Sequence, residues 1–358
     1  MIAALVMALV MSTAGPLQQD VGAIKATGVL AEVQTPQGAR TARSGVAELG
    51  SGRPVPWNAY YRVGSDTKTF TATVALQLVG EGRLALTEPV GKWLPDLVPD
   101  RRITVEDLLR QTSGLHDYLE DLPIAQDLTP KGYLKNRFTS YPPRRLVERA
   151  VRKPARPGWS YSNTNYVLAG MIIEKVTGHP WAQEIHRRIL EPLGLRHTFT
   201  PGTSAYVPEP TARAYTYFPG AGDPVDTSLF AVNGADGGIV STPHDLAVFL
   251  RALMGGRLLR PAQLAQMKQT VEAKDWIDVP GVRYGLGIAW RPVPGCPDGI
   301  WFHGGTSFGT VSESGVTPDG SRAAATAAFT LHFSKAQQAQ DRAARALVDH
   351  ALCAPGER

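Results

Sequence analysis

Val63-Gly64-Ser65-Asp66-Thr67-Lys68-Thr69-Phe70-Thr71-Ala72 decides the reading of this chain. After Ser65 the large apolar residues Phe70, Val74 and Leu78 recur every four positions until Gly80 and Gly82 interrupt them. That period predicts a helix, buried along one face, that begins at the serine. Residues three apart on a helix share a face, so the Lys68 amine reaches the Ser65 hydroxyl and can take its proton. The amine must be neutral to do so, which requires burial and a nearby cation to lower a pKa that is ordinarily ~10.4. The free N–H groups and positive dipole end at the helix start favour the oxyanion formed when a carbonyl is attacked. Alone, the Ser-x-x-Lys pattern is weak evidence, because 16 serines and 10 lysines in 358 residues supply about 0.45 chance matches.

Outward from this segment, several elements mark their own ends. Thr104 with Asp107 reads as a capping box, opening a helix that closes at Ser113-Gly114. Asn165 to Thr177, ended by Gly178, is another helix, and Gln337 to Cys353 makes a last amphipathic one. Val29 to Val46 and Tyr284 to Phe333 carry β-branched and aromatic residues broken by glycine and proline, with a turn at Pro318-Asp319-Gly320. They read as antiparallel strands and hairpins. Strands at both ends of a mostly helical middle predict an α/β (α+β) fold, an antiparallel sheet flanked by helices with an inserted all-helical domain. The sheet domain takes 15–65 plus 280–358 with its terminal helices, the helical domain takes 66–279, and an active site lies in the cleft between them.

Hydrophobic residues make up 43% and charged residues 19% of the chain, enough apolar material for a full core. The net charge is +5, but the Lys and Arg residues form no run, so no nucleic-acid partner is expected. Met1 to Met11 is almost wholly apolar and leads into Ser12-Thr13-Ala14. Residues 1–14 thus read as a signal-peptide remnant lacking its positive n-region, with a buried helix as the alternative. The run is too short to cross a bilayer, and no other comes near 18 apolar residues, so no membrane span is expected. The two cysteines, Cys296 and Cys353, fit an exported chain, where an even count usually means a disulfide; two unrelated buried thiols are the alternative. A secreted monomer is expected.

Two further segments carry chemistry. Tyr161 and Asn163 stand just before a helix, and His303-Gly304-Gly305-Thr306 has the glycines that let a strand backbone approach a bound substrate closely. His116, His179, His197, His244, His332 and His350 are scattered without metal spacing, so neither metal nor other cofactor is implied.

Val63 to Ala72, running on through Leu76-Gln77-Leu78 to Gly82-Arg83-Leu84, is similar to the nucleophile segment of serine penicillin-recognising enzymes, the β-lactamase and D-alanyl-D-alanine carboxypeptidase family. It resembles most closely the exocellular carboxypeptidases of actinomycetes and the class C β-lactamases. Other segments match in the same order: Ile103 to Leu109 with Thr112-Ser113-Gly114-Leu115, Pro157 to Tyr166, Gly237 to Thr242, and Tyr284-Gly285-Leu286-Gly287 followed by His303 to Thr306. Together they cover about residues 25 to 350.

The resemblance implies an acyl-enzyme on Ser65. A Tyr161 phenolate, held down in pKa by the Lys68 ammonium, would take the serine proton and hand it to the leaving amine, the two groups titrating as a coupled pair. Asn163 would donate to the substrate's amide carbonyl and help hold Lys68. The Thr306 N–H would join that of Ser65 as second oxyanion donor, on a strand lined by Gly304 and Gly305. His303 would supply a proton or positive charge, although an unperturbed imidazole is mostly neutral at pH 7.

Two positions depart from the carboxypeptidase pattern. An arginine two residues after Tyr-Gly-Leu-Gly pairs with the substrate's terminal carboxylate there; here that position is Ala289, followed by Trp290 and Arg291. Strand alternation puts Arg291 on the same face as Ala289, so it stays a candidate. Gly304 replaces the middle threonine of His-Thr-Gly. Both changes weaken carboxylate recognition. The expected function is therefore a D-alanyl-D-alanine carboxypeptidase or related D-amino-acid peptidase. An esterase, amidase or β-lactamase on the same scaffold, or a penicillin-binding sensor without turnover, are the alternatives. The substrate would be a peptidoglycan stem peptide, an ester or a β-lactam.

Overall fold

In a computed structural model describing residues 15–98, 102–232 and 234–353, both ends of the chain meet in one sheet. The leader expected at 1–14 lies outside the described residues. The strands are β1 (Gly28–Thr35), β2 (Gly38–Gly45), β3 (Val271–Glu272), β4 (Arg283–Tyr284), β5 (Ala289–Val293), β6 (Cys296–Ser307), β7 (Thr310–Val316) and β8 (Ala323–Ala328). They form an antiparallel sheet in the order β2-β1-β8-β7-β6-β5-β4-β3. The N-terminal hairpin closes on the C-terminal strands through β1 and β8, from Val29 opposite Ala328 to Gln34 opposite Ala323.

Period-two alternation sorts the side chains between two faces. Val29, Ala31, Val33, Ala324 and Ala328 face helices α1 (Pro16–Ala23) and α6 (Lys335–Cys353), whose Val21, Leu347, Val348 and Leu352 complete that layer. Cys296 and Cys353 are joined in a disulfide, tying the start of β6 to the end of α6. Leu30, Ala323, Ala325 and Ala327 turn to the opposite face, in one continuous core with the helices between the two sets of strands.

Among those, α2 (Thr67–Gly80), α3 (Val105–Arg110) and α4 (Asn163–Thr177) surround the site. The Thr104 capping box forms with both its hydrogen bonds, but α3 ends earlier than expected, at Gln111 with φ 66°. Helix α4 begins two residues before the predicted Asn165 and ends at Gly178, φ 78°, a left-handed cap that glycine adopts without strain. Burial of α2 exceeds the single apolar face expected from its period. Thr67, Thr69, Thr71 and Thr73 are buried as well, which is tolerable because such hydroxyls find carbonyls: Thr69 Oγ1 donates to Gly287 O and Thr71 Oγ1 to Ala235 O, each at 2.7 Å.

The boundary at 279 is not where the packing divides. Helix α5 (Pro243–Met254) lies inside the stretch expected to be a separate helical domain, yet it packs on β1, β7 and β8. The alanines of β8 leave room for its Leu246, Phe249, Leu250 and Leu253. Strand β3 also joins the sheet from before 280. No helix among the described residues is long and apolar enough to cross a membrane.

Candidate active site

Ser65 sits in a single 3₁₀ turn, Gly64–Asp66, immediately before α2, so the helix proper starts two residues later than the sequence suggests. Strand β6 pairs with β5 only as far as Phe302 opposite Ala289. The edge from His303 to Ser307 is left facing this turn. Backbone meets backbone there: a Cβ on Gly64, whose φ is +55°, would lie 2.7 Å from the Thr306 nitrogen, and one on Gly305 would overlap the Val63 carbonyl and lie 3.0 Å from the Ser65 nitrogen. Two glycines thus bring the Ser65 and Thr306 amides side by side, the arrangement needed to hold an oxyanion.

Lys68, one turn into α2, is fully buried. Its Nζ donates to Ser65 Oγ at 2.9 Å, Asn163 Oδ1 at 2.7 Å and the Asp236 carbonyl at 2.8 Å. Burial lowers its pKa to about 8, against the pull of Asp236, Asp117 and Asp66. The nearby cation expected from the sequence is not what lowers it; the charged neighbours are acids, and desolvation alone outweighs them. Asn163 is oriented by donating its Nδ2 to Asp117 Oδ2 at 2.8 Å. Tyr118 donates to Asp236 Oδ2 at 2.7 Å. Asp117 and Tyr118 thus hold two partners of Lys68, Asn163 and Asp236, in place.

Tyr161 lies across the serine, its hydroxyl hydrogen-bonded to Ser65 and its ring centroid 4.9 Å from Lys68 Nζ. Trp276 stacks on it at 5.5 Å with the planes 14° apart. Burial, followed by the neighbouring Tyr284, drives the Tyr161 pKa well above its ordinary value, and the Ser65 hydrogen bond offsets only part of this. The phenolate expected from the sequence is therefore not the resting form: Tyr161 is a phenol, and the group that can lose its proton near neutrality is Lys68.

His303 also differs from expectation. It is wholly buried, with Nδ1 2.7 Å from the Gly304 carbonyl and Nε2 3.0 Å from the Tyr284 hydroxyl. A carbonyl only accepts, so Nδ1 carries the proton and Nε2 accepts from Tyr284. Burial and the Lys68 charge lower its pKa to about 3. At neutral pH it supplies neither a proton nor a positive charge; it supports the wall behind Tyr161, 6.4 Å away between ring centroids.

Neither Ala289 nor Arg291 offers an anchor for a carboxylate. Ala289 is buried among Val282, Tyr284 and Phe302. Arg291 is 2% exposed, bound through Nη1 to Asp349 at 2.7 Å, and cannot swing to the serine.

A cavity of about 570 Å³ opens on Ser65, Tyr161, Asn163, Gly304, Gly305 and Thr306. Its lining also includes the apolar side chains of Leu122, Ile124, Leu146, Phe230 and Phe308. Among the described residues no three His, Cys, Asp or Glu side chains are grouped to hold a metal ion.

The residues foreseen at the site thus converge, while Asp117, Tyr118, Asp236 and Trp276 were not singled out and Tyr284 was read only as part of a matched segment. Asp117 and Tyr118 follow Thr112-Ser113-Gly114-Leu115 after a single intervening residue, His116, and Asp236 directly precedes Gly237-Gly238. Adjacency to matched segments was the available signal.

A family model described as Beta-lactamase matches residues 17–350. The fold superimposes with a TM-score of 0.80 on a D-stereospecific amidohydrolase from Streptomyces sp., at 39% identity over 88% of this chain and 93% of that one. A D-amino acid amidase from Ochrobactrum anthropi SV3, solved with L-phenylalanine amide, gives a TM-score of 0.78 at 29% identity over 92% and 97% of the two chains. A putative penicillin-binding protein, PbpX of Bacillus subtilis, is 29% identical over 57% of this chain, which spans only 48% of that relative's length.

Proposed function

Because the chain belongs to the Beta-lactamase family and is a serine hydrolase, we propose that it cleaves amide bonds of D-configured amino-acid or short peptide substrates without requiring a terminal carboxylate. The observation that carries this reading is the missing carboxylate anchor: Ala289 is sealed in an apolar cluster, and Arg291 is committed to Asp349. The D preference is supported by the similarity to the Streptomyces amidohydrolase. The disulfide and the apolar leader expected at 1–14 support an extracellular setting.

In this mechanism neutral Lys68 accepts the Ser65 proton as Oγ attacks the carbonyl carbon, and the oxyanion is held by the Ser65 and Thr306 amides. Asn163 holds Lys68 and donates to the substrate's amide. Tyr161 gives its proton to the leaving nitrogen and is reprotonated by the Lys68 ammonium, and water then releases the acyl group from Ser65. His303 and Tyr284 act only by positioning Tyr161.

A lysine that must be neutral, with a pKa of about 8, fixes the pH dependence. Rate requires the deprotonated form, so kcat/KM should rise by about tenfold per pH unit from about pH 6 and level off above about 8. A flat profile across that range would count against Lys68 as the base.

The substrate reading is tested by assaying the purified protein on D- and L-phenylalanine amide, a diacetyl-lysyl-D-alanyl-D-alanine tripeptide and a p-nitrophenyl ester. Faster cleavage of the D-amide than of the other amide substrates is expected. Dominant release of D-alanine from the tripeptide would restore the carboxypeptidase, and ester cleavage with no amide turnover would indicate an esterase.

A further inference from the structure

Gly304 stands in register with Glu313 on β7, and a Cβ on Gly304 would come within 3.1 Å of Glu313 Oε2. The carboxyl group thus occupies the space beside the strand that a side chain at 304 would fill, and it lines the same cavity as Ser65. Glu313 is only 9% exposed, and its Oε1 makes no hydrogen bond. Its one close cation is Arg291, whose Nη2 is 3.6 Å away and whose Nη1 is bound to Asp349.

Arg345 is the one lysine or arginine among the described residues that line this cavity, and it faces Asp341 one turn earlier on α6. Asp341 lies near both Arg345 and Arg342 and accepts from Gln337, and Asp349 holds Arg291, so among these three carboxyl groups Glu313 is the one with no side-chain hydrogen bond and no ion pair closer than 3.6 Å. An unmatched buried carboxylate is costly. Burial accordingly raises Glu313 to about 8, although Arg291 and Arg345 pull the other way, and Asp66 and Asp341 add to the rise.

Which part of a substrate reaches this place follows from Tyr161. The leaving nitrogen has to meet its hydroxyl, and His303, packed beside the Tyr161 ring, directly precedes Gly304. The leaving portion is thus the part that passes Gly304.

We infer that Glu313 is a specificity-determining residue of the Ser65 site, forming with Gly304 a leaving-group subsite that prefers a protonated amine and rejects a carboxylate. An ammonium brought to Oε2, the oxygen beside Gly304, displaces the Glu313 proton and gives that carboxylate the close ion pair it lacks, whereas a carboxylate meets a protonated acid among other carboxyl groups and gains no ion pair. This rests on the amide-cleaving reading and assigns its leaving group.

The test uses D-phenylalanyl amides of three similar amines: 1,3-diaminopropane (cationic tail), propylamine (neutral) and β-alanine (anionic). In the wild-type protein kcat/KM should fall in that order, with cationic over anionic by about 10- to 100-fold. In Glu313→Gln the ratio should shrink to within about threefold; it is taken within each protein, so a general loss of rate cancels. Equal wild-type rates, or an unchanged ratio in the variant, would overturn the inference. If Glu313→Gln does not fold, the wild-type series decides alone. Should the protein cleave a p-nitrophenyl ester but none of the amides, the amide-cleaving reading fails. The subsite is then judged by inhibition of ester hydrolysis by the N-acetyl derivatives of the same three amines, where the same order supports it and no order refutes it.

Discussion

Replacing Ser65 with alanine is expected to reduce hydrolysis of every substrate by about 10⁴- to 10⁶-fold and to abolish covalent labelling by a fluorescent penicillin. The size follows from the placement of Ser65: Lys68 Nζ lies 2.9 Å from its Oγ, and its amide stands beside that of Thr306 through the close approach at Gly64 and Gly305. Lys68→Ala should cost nearly as much. Its Nζ is the hydrogen-bond partner of Ser65 Oγ at 2.9 Å, so without it the serine keeps its proton and the Tyr161 phenol has nothing to reprotonate it. Residues that act as one unit are not additive, and the double variant should be no slower than Ser65→Ala by more than a few-fold. Steady-state kinetics on the D-amide and the ester measures this directly. Residual labelling of Ser65→Ala would move the nucleophile elsewhere, and a double variant far slower than either single one would mean that the two side chains act separately. Lys68→Ala should also lose thermal stability, because it leaves the buried Asp117 and Asp236 without the cation between them.

What was legible in the sequence is what is written locally. The capping box at Thr104, the glycine after Thr177 and the turn at Pro318-Asp319-Gly320 depend on residues within a few positions of one another, and the structure keeps each of them. Ser65, Lys68, Tyr161, Asn163 and Thr306 were reachable because their segments resemble a family in order. Asp117 and Asp236 were not, since their part is to hold Asn163 and Tyr118 across 46 and 118 residues of sequence. Charge states were hidden for a related reason. His303 looks ordinary as a letter, and burial together with the Lys68 charge keeps it neutral at physiological pH, while the lowering that Lys68 needs comes from burial without the cation expected beside it. Glu313 faces Gly304 through strand register, which pairing sets and composition does not. Helix α5 lies within the stretch 66–279 read as a helical domain, yet it packs on the sheet, because a run of helical sequence does not record which partner buries it.

Gly305→Ala should be nearly as damaging as loss of a proton carrier, although it changes no functional side chain. The added methyl would overlap the Val63 carbonyl and sit 3.0 Å from the Ser65 nitrogen. Both are backbone atoms of the turn that carries the nucleophile, so relief requires β6 and the turn to separate. The Ser65 and Thr306 amides would then no longer converge on one oxygen. Loss of a single oxyanion donor typically costs about 10²–10³ in rate, and a fall in kcat of about 10³-fold is expected. Gly304→Ala, one residue earlier, supplies the comparison. Its methyl would meet Glu313 Oε2 and the Ser312 carbonyl at 3.1 Å each, contacts relieved by a few tenths of an ångström, partly in a side chain. Its kcat should fall far less, while its leaving-group preference shifts with the displaced Glu313. Because the two substitutions add the same single carbon to neighbouring residues of one strand, a general intolerance of β6 would lower both alike. Equal losses would mean that the close approach of Gly305 to the Ser65 turn does not set the oxyanion geometry. Losses differing by about 10²-fold, with both proteins folded by circular dichroism, would place the catalytic requirement in that backbone contact.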